Sequence, residues 1–459
     1  MTRRLTARLT VTASALAALV IGALPAGAAV SPAVPSTPGP PAITAVPLDM
    51  YERYVAAQTR MATLLPARVS ALKALGASPG ILVSDAGTGE ATYAARAAVP
   101  MRGASTTKLV TAVTSLHHLG TTTRFPTVVL AGRSSREVVL RGGGDPLLTS
   151  AQLDSLARSA AANLATTAPS PTGTTVTMPL RITVKVDETL YPAFTRPSGW
   201  PADYLPYVVA PVRPLIRDLR NGWDSGKDAG TYFAARLALA LRAALPGRSD
   251  LAVSSAYSGK LPATPGASEV ARFAGNSSGA ALRLMLLVSE NDVAEMMLRN
   301  AAVAATGDAS WTSAQANART TLAGLGVNVT GWVFEDGSGV SRADRLTARG
   351  LVQLLRAAAS AAHPELAPLR GWLPVGGVSG TLKAGNGRFT TTPTICARGR
   401  VFAKTGTLFD TVGLAGYAVG SDGRLKAFAV LAHRSGEAYS KLAVRRSVDR
   451  VAATATGCY

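Results

Sequence analysis

Three short polar motifs constrain the fold of this 459-residue chain more than any other feature. They are, in chain order, Ser105-Thr106-Thr107-Lys108, Ser289-Glu290-Asn291 and Lys404-Thr405-Gly406. A serine three residues before a lysine at the start of a predicted helix shares one helix face with it, one turn apart. A lysine whose pKa is lowered by burial and by nearby cations can then accept the hydroxyl proton. We expect the fold to bring together three motifs that lie 184 and 115 residues apart.

The second and third motifs supply the other groups that acyl transfer by a serine requires. Ser289 can pass a proton to the leaving group, and Asn291 can orient the lysine and a substrate amide. Lys404 offers a fixed positive charge to a substrate carboxylate, and Gly406 lets an edge strand approach the substrate backbone closely. The series S-x-x-K, S-x-N, K-T-G is the signature of penicillin-binding proteins and class A β-lactamases.

Two other serine motifs compete with this interpretation. Ser70-Ala71-Leu72-Lys73 repeats the S-x-x-K pattern, but it lies in an amphipathic helix predicted over residues 50–75, where the serine would face solvent. Gly275-Asn276-Ser277-Ser278-Gly279 matches the G-x-S-x-G elbow of α/β-hydrolases such as lipases and esterases, which needs a strand directly before it. Residues 267–275 do not read as a strand, so Ser277 or Ser278 is expected to cap a helix that begins at residue 280.

The hydrophobic periodicity predicts strands and helices at both ends of the chain, separated by a long middle region. Such an order indicates an α+β or α/β multi-domain protein. The predicted strands cover 81–84, 90–95, 127–131, 137–141, 180–186, 400–404, 411–419 and 425–432. The predicted helices cover 50–75, 105–119, 151–164, 231–245, 280–304 and 437–453, and a Thr/Pro/Ser-rich loop is predicted over 165–179.

Several further segments resemble one family in particular. They are residues 141–149, the Val186-Asp187 strand end, residues 210–212, residues 336–342 and residues 373–382. With these segments, nearly the whole mature chain resembles the D-alanyl-D-alanine carboxypeptidase/endopeptidase family typified by penicillin-binding protein 4, peptidase family S13. One departure is Gly103-Ala104 before the serine, where the family often has Pro-Ala. We expect this to alter the turn and to leave the chemistry unchanged.

The resemblance implies an α+β fold with a transpeptidase-like domain, an antiparallel sheet flanked by helices, which a long insertion splits. The insertion would run over 127–273 and form two smaller domains, between a first part at 50–126 and a second part at 274–459. The distance from Ser105 to Ser289 is also too long for a compact β-lactamase core, which argues against a dedicated β-lactamase.

The implied activity is serine-type hydrolysis of peptidoglycan stem peptides through an acyl-enzyme, with penicillin and other β-lactams as covalent inhibitors. Ser105 is the implied nucleophile and Lys108 its base, without any cofactor. The backbone N–H groups of Ser105 and Thr407 would form the oxyanion hole, and Lys404 and Thr405 would hold the terminal carboxylate. The alternative is a catalytically weak wall-binding protein or a β-lactam-hydrolysing protein on the same fold.

Some family members bind the charged end of a diaminopimelate-type side chain. A zwitterionic end requires one anion and one cation in the site, and the candidates here are Asp187 and Arg342. The alternative interpretation is that Asp187 caps a turn and that Arg342 is a structural ion-pair partner.

The N-terminus indicates export. Three arginines precede an uncharged stretch over residues 9–24, and the small-residue run Ala26-Gly27-Ala28-Ala29 follows. This pattern predicts a signal peptide over 1–28, with an uncleaved membrane anchor as the alternative. Residues 29–49 then read as a proline-rich linker. Because exported proteins meet an oxidising environment, Cys396 and Cys458 are expected to form a disulfide.

The charge and the histidines exclude other classes of protein. The net charge is +20, but the basic residues are scattered in runs no longer than two, so nucleic acid is not an expected partner. The four histidines form no HExxH or HxH pattern, so no metal site is predicted. After signal cleavage, the chain is expected to keep no membrane span.

Overall fold

A computed structural model of the chain describes residues 48–458, except for residues 77, 168–180, 220–221, 247, 249, 258–261 and 434–439. The predicted signal peptide, nearly all of the predicted linker and most of the loop predicted over 165–179 lie outside these residues. Among the helices of the described part, none is long and apolar enough to cross a membrane.

The secondary-structure elements follow the predicted order, with additional elements that were not predicted, among them helices over 311–324 and 348–359. The helices are α1 (Leu48–Ala71), α2 (Lys108–Leu119), α3 (Ser150–Thr167), α4 (Ser225–Ala244), α5 (Ser278–Val288), α6 (Asn291–Thr306), α7 (Trp311–Gly324), α8 (Ala348–Ala359), α9 (Pro368–Trp372) and α10 (Lys441–Ala455). The strands are β1 (Gly80–Asp85), β2 (Ala91–Ala95), β3 (Thr127–Ala131), β4 (Glu137–Arg141), β5 (Arg181–Asp187), β6 (Ala252–Ala256), β7 (Glu269–Phe273), β8 (Val401–Thr407), β9 (Thr411–Val419) and β10 (Leu425–His433).

The first sheet joins both ends of the chain. Its order is β2-β1-β10-β9-β8, and every neighbouring pair is antiparallel. Successive side chains of β10 enter different cores, because side chains alternate across a strand. Phe428 and Val430 pack in a cluster that includes residues of α1 and α10, whereas Ala429 and Leu431 pack in a cluster that includes residues of α2, α6 and α8. The sheet is therefore buried on both faces, with β8 at one edge.

The second sheet is built wholly from strands between residues 127 and 273. Its order is β6-β5-β4-β3-β7, with β4, β5 and β6 parallel and with β3 antiparallel to both of its neighbours. Parallel strands need a crossover connection, and α3 and α4 provide these connections. Side chains such as Val184, Phe233 and Leu237 form a separate buried cluster. We propose that this sheet and its two helices are one of the predicted inserted domains.

The remaining inserted segment, over 188–219, packs directly on the part that carries the polar motifs. Its Tyr191, Trp200 and Val209 share one buried cluster with Met296 of α6 and Val340. This packing brings the segment next to the Ser289-Glu290-Asn291 motif. The division into two inserted domains stays a prediction.

Two local predictions were wrong. The helix predicted over 280–304 is broken into α5 and α6, because Ser289 has a left-handed backbone conformation with φ 67° and ψ 36°. The region 267–275 does contain a strand, β7. It is short and largely solvent-accessible, so it lacks the apolar run by which a buried strand is recognised, and it forms through backbone pairing with β3.

The predicted disulfide is confirmed. Cys396 and Cys458 are bonded, with their Cα atoms 5.9 Å apart. The bond joins the segment just before β8 to the residues just after α10. It thereby ties the C-terminal helix to the start of the strand that carries Lys404.

Candidate active site

Ser105 lies in a tight turn beside the edge of the first sheet. The 3₁₀ turn Ala104–Thr107 leads directly into α2, and Ala104 has a positive φ of 46°. A Cβ at Gly406 of β8 would collide with the carbonyl oxygen of Gly103. Because residue 406 is a glycine, this turn can approach β8 closely. Residues three apart eclipse each other in a 3₁₀ helix, which places Ser105 against Lys108.

The Lys108 side chain connects the first two motifs. It is fully buried, and its Nζ lies 2.9 Å from the Oγ of Ser105, 2.7 Å from the Oδ1 of Asn291 and 2.8 Å from the carbonyl oxygen of Ser338. The amide and carbonyl oxygens can only accept hydrogen bonds, so two of the N–H groups of Lys108 are directed at them. The Ser105 hydroxyl can accept from an ammonium or donate to a neutral amine. A neutral Lys108 therefore directs its lone pair at Ser105.

The pKa of Lys108 favours this neutral form. Burial lowers the pKa to about 8, although nearby carboxyl groups, first Glu295 and then Asp336, oppose the shift. About a tenth of the Lys108 side chains are therefore uncharged at pH 7, and the neutral form that a general base requires predominates above pH 8.

Because α5 and α6 are separated by a break at Ser289, the side chains of Ser289 and Asn291 contact different lysines. Ser289 lies in the break, and its Oγ accepts a hydrogen bond of 2.8 Å from the Nζ of Lys404. Asn291 begins α6, accepts from Lys108 and donates from Nδ2 to the carbonyl oxygen of Val208 at 2.6 Å. The segment 188–219 thus contacts the motif directly.

The third motif lies on the edge strand. Lys404 is fully buried, and its Nζ also donates to the carbonyl oxygen of Thr405 at 2.9 Å. The Thr405 hydroxyl donates to the hydroxyl of Thr381 at 2.8 Å. Burial, and then the charge of Lys108, lower the pKa of Lys404 well below its usual value. A bound carboxylate would oppose both effects.

The N–H groups of the edge strand alternate in direction. The Val419 N–H donates to the carbonyl of Arg400, and the Leu408 N–H donates to the carbonyl of Thr411. Even-numbered residues of β8 therefore bond β9, and odd-numbered N–H groups point to the outer edge. The Thr407 N–H thus has the direction that the predicted oxyanion hole needs.

Asp187 and Arg342 have other partners, and no contact in the described part of the chain joins them. Arg342 donates to the carboxylate of Asp410 at 2.8 Å. Asp187 is buried at the end of β5, where its oxygens accept hydrogen bonds from the backbone N–H groups of Thr189 and Ala263. These contacts fit the alternative interpretation of both residues. Their role in binding a zwitterionic side chain stays a prediction.

The competing serines occupy structural positions. Ser70 is exposed on α1, as predicted. The Oγ of Ser277 accepts from the N–H of Ala280 at 3.2 Å and caps α5, so the predicted cap is confirmed. The buried Ser278 donates to the carbonyl oxygen of Gly120. In the part of the chain that the structure describes, no group of three or more His, Cys, Asp and Glu side chains could hold a metal ion.

The sequence matches a family model at two stretches that together cover most of the chain. The model is that of the D-Ala-D-Ala carboxypeptidase 3 (S13) family, and the matched residues are 65–235 and 266–455. The chain belongs to this family. The S13 resemblance of the sequence and the assignment as a peptidase are thereby confirmed.

Two curated relatives extend this result to most of the chain. Carboxypeptidase DacB of Mycolicibacterium smegmatis is 32% identical over 450 residues, which cover 94% of this chain and 91% of the relative. A D-alanyl-D-alanine carboxypeptidase of an Actinomadura species is 28% identical over 438 residues, which cover 78% of each chain.

Among solved structures, penicillin-binding protein 4 of Haemophilus influenzae has the same fold. The TM-score is 0.66 at 19% identity, and the match covers 84% of this chain and 97% of that one. The predicted fold class is therefore confirmed.

Sequence reasoning missed four contributors to the site of this S13 protein. Two are the backbone carbonyls of Val208 and Ser338, which carry no side-chain signature. Thr381 lies in a segment used for the family resemblance, without a role assigned to it. Glu295 follows Asn291 by four residues, a spacing that places both on one face of α6.

Proposed function

We propose that this protein is a serine-type D-alanyl-D-alanine carboxypeptidase and endopeptidase that acts on peptidoglycan stem peptides through an acyl-enzyme. The observation that carries the proposal is the 2.9 Å contact between the Oγ of Ser105 and the Nζ of a fully buried Lys108 whose other two partners are acceptors. The names of the two curated relatives agree with this activity.

The substrate would bind along the outer edge of β8 at residues 405–407, beyond the stretch in which Val401 and Ala403 are hydrogen-bonded to residues 374–376. Its backbone can pair with the outward N–H groups of this strand in the manner of an added strand. The terminal carboxylate would lie near Lys404 and Thr405. The scissile carbonyl between the two D-alanines would then point its oxygen at the N–H groups of Ser105 and Thr407, which stabilise the oxyanion of the tetrahedral intermediate.

The reaction consists of two acyl transfers. Lys108 takes the hydroxyl proton as the Oγ of Ser105 forms its bond with the carbonyl carbon. When the C–N bond breaks, the departing amine takes a proton from the Ser289 hydroxyl, which lies beside Lys404, and Ser289 regains a proton from the protonated Lys108, which becomes neutral again. Water then attacks the ester with Lys108 as the base. The proton that Lys108 takes from the water passes to the Ser105 oxygen as the ester bond breaks and the shortened peptide leaves. Asn291 holds Lys108 in place throughout.

The chemistry extends to inhibitors and to the place of action. Penicillin-binding protein 4 of Haemophilus influenzae has also been solved with a β-lactam, and we propose that β-lactams acylate Ser105 here. Peptidoglycan lies outside the cytoplasm, so the enzyme would be exported and its signal peptide removed. The predicted wall substrate and the predicted export signal agree with each other.

Two assays of the purified mature protein test the proposal. The release of D-alanine from a stem pentapeptide reports carboxypeptidase activity, and the conversion of a cross-linked dimer into monomers reports endopeptidase activity. Ser105→Ala should abolish both, because it removes the attacking oxygen, whereas Ser70→Ala should leave both unchanged. Turnover by Ser105→Ala equal to that of the wild type would refute the proposal.

A further inference from the structure

Glu295 holds the loop that contacts Lys108. It is fully buried in α6. One carboxylate oxygen accepts from the N–H of Gly337 at 2.7 Å, and the other accepts from the N–H of Ser338 at 2.8 Å. The carbonyl of Ser338 in turn accepts from the Nζ of Lys108 at 2.8 Å. A single residue, Ser338, therefore links the Glu295 carboxylate to the base of the proposed mechanism.

A second support fixes the same loop from the opposite side. The hydroxyl of Thr111 in α2 donates to the carbonyl of Gly337 at 2.6 Å. Residue 337 is a glycine because its Cα lies against the backbone of Ala294, where a Cβ would collide with the carbonyl oxygen. The loop is thus held between two helices that also carry Lys108 and Asn291.

Several charged groups face Lys108 and Glu295 in this interior. Burial lowers the pKa of Lys108, and four nearby carboxyl groups raise it: those of Glu295, Asp336, Glu290 and Asp292. Asp344 is buried beside Asp336, the buried guanidinium of Arg299 lies near Glu295 on α6, and Lys404 lies on the β8 side. Among these carboxyl groups, Glu295 raises the pKa of Lys108 the most.

The contacts of Glu295 favour its carboxylate form. Burial, and then the charge of Asp336, raise the pKa of Glu295 to about 8, although the N–H groups of the loop and the charge of Lys108 oppose the shift. Both oxygens accept N–H donors, and the described contacts give it no acceptor to which a protonated carboxyl could donate. A charge held beside Lys108 is therefore consistent with the geometry.

We propose that Glu295 is a positioning residue for the acylation step. It orients the Ser338 carbonyl so that this oxygen accepts a hydrogen bond from one N–H of the Lys108 amine. The lone pair of the amine then points at Ser105. Its negative charge also sets the pH at which Lys108 becomes a base. The inference rests on the proposed function, since it presupposes that Lys108 takes the serine proton.

The pH profile of acylation by a chromogenic β-lactam tests the proposal. Glu295→Gln keeps the shape but replaces one accepting oxygen with an NH₂ group and removes the charge. The plateau rate should fall about tenfold or more, the cost of one lost charge-assisted hydrogen bond. The acidic limb should move to lower pH, because Lys108 loses a negative neighbour. An unmoved limb or an unchanged plateau would overturn the proposal.

Glu188→Gln is the matched control. Glu188 is as deeply buried and accepts a hydrogen bond from the Tyr257 hydroxyl in the inserted region, so the same substitution tests for general damage. The acidic limb and the plateau of the pH profile of Glu188→Gln should match those of the wild type. If Glu188→Gln moves the limb as much as Glu295→Gln does, the positioning role is excluded.

A second variant separates orientation from charge and covers the case in which Glu295→Gln does not fold. Thr111→Val removes the other support of the loop without a change of charge, so the plateau should fall while the limb stays in place. An unchanged plateau would overturn the orienting role of Glu295.

Lys108→Ala distinguishes a failure of the proposed function from a failure of this inference. If Lys108→Ala still acylates at the wild-type rate, the proposed function fails. If Lys108→Ala is inactive and Glu295→Gln behaves as the wild type does, only this inference is overturned.

Discussion

Removal of the Cys396–Cys458 disulfide should destabilise the fold without disturbing the active site. Cys396→Ala is the suitable perturbation, because Cys396 is exposed and its truncation leaves no cavity. Cys458 is buried among the apolar side chains of the cluster that includes α1 and α10, so its thiol keeps this packing. The variant therefore reports the loss of the covalent constraint and little else.

The magnitude follows from the length of the closed loop. The two cysteines are separated by 62 residues, which corresponds to about 4 kcal/mol at 25 °C in the chain-entropy model of the unfolded state. Disulfides often contribute less than this model gives, so about 2–4 kcal/mol is the expected loss in the free energy of unfolding.

Urea unfolding followed by circular dichroism, with and without a reducing agent, measures this loss. The reductant should lower the wild-type midpoint to that of Cys396→Ala and should leave the variant unchanged. The rate of β-lactam acylation under native conditions should stay the same. A loss below about 1 kcal/mol, well under the range for native disulfides, would refute the reasoning. Two free thiols in the oxidised mature protein would refute the pairing itself.

Three further predictions concern charged groups. Because the pKa of Lys108 is about 8, the acylation rate should rise about tenfold from pH 7 to pH 9, and a flat profile would contradict the role of this residue as the base. Lys404→Ala should lower kcat/KM for peptides that end in a free carboxylate by about 100-fold, the loss of a charge-assisted contact, and an equal loss on C-terminally amidated peptides would argue against carboxylate binding. Burial alone would raise the pKa of Asp85, but hydrogen bonds from Arg424, Thr88 and Lys426 lower it below its usual range. Asp85 therefore stabilises the fold above its unfolded pKa of about 4, and this contribution is lost as the pH falls; the destabilisation by Asp85→Asn should shrink between pH 5 and pH 2 in urea titrations, and a constant difference would contradict it.

The parts of the fold that the sequence predicted best are those with strong periodicity. The strands at 127–131, 137–141 and 411–419 have the predicted bounds, because buried β-branched and aliphatic runs between turn residues are distinctive. The short strands β6 and β7 were missed. They are partly exposed and form through backbone pairing with neighbouring strands, which composition does not reveal.

In the site, too, the features that depend on side-chain type could be predicted, whereas those that depend on backbone conformation could not. Ser105, Lys108, Asn291 and Lys404 could be recognised because their chemistry depends on side-chain type at fixed spacing. The left-handed Ser289 could not be recognised, since an apolar periodicity over 280–304 favours an unbroken helix. The tertiary contact with Lys404 stabilises the break, and contacts of this range are outside the reach of local propensity.

Partner choice was also hidden from the sequence. Arg342 lies within a segment typical of the family, yet whether it faces a ligand or a neighbouring carboxylate depends on Asp410, which is 68 residues away. Glu295 is similar, since its role depends on a loop that lies 42 and 43 residues further along the chain.

Mass spectrometry of the penicillin-treated mature protein tests the central assignment most directly. The protein should carry one penicilloyl group on the peptide that contains Ser105, and Ser105→Ala should carry none while its circular dichroism spectrum stays that of the wild type. An adduct on the peptide that contains Ser70 or Ser277, or full labelling of Ser105→Ala, would contradict the assignment.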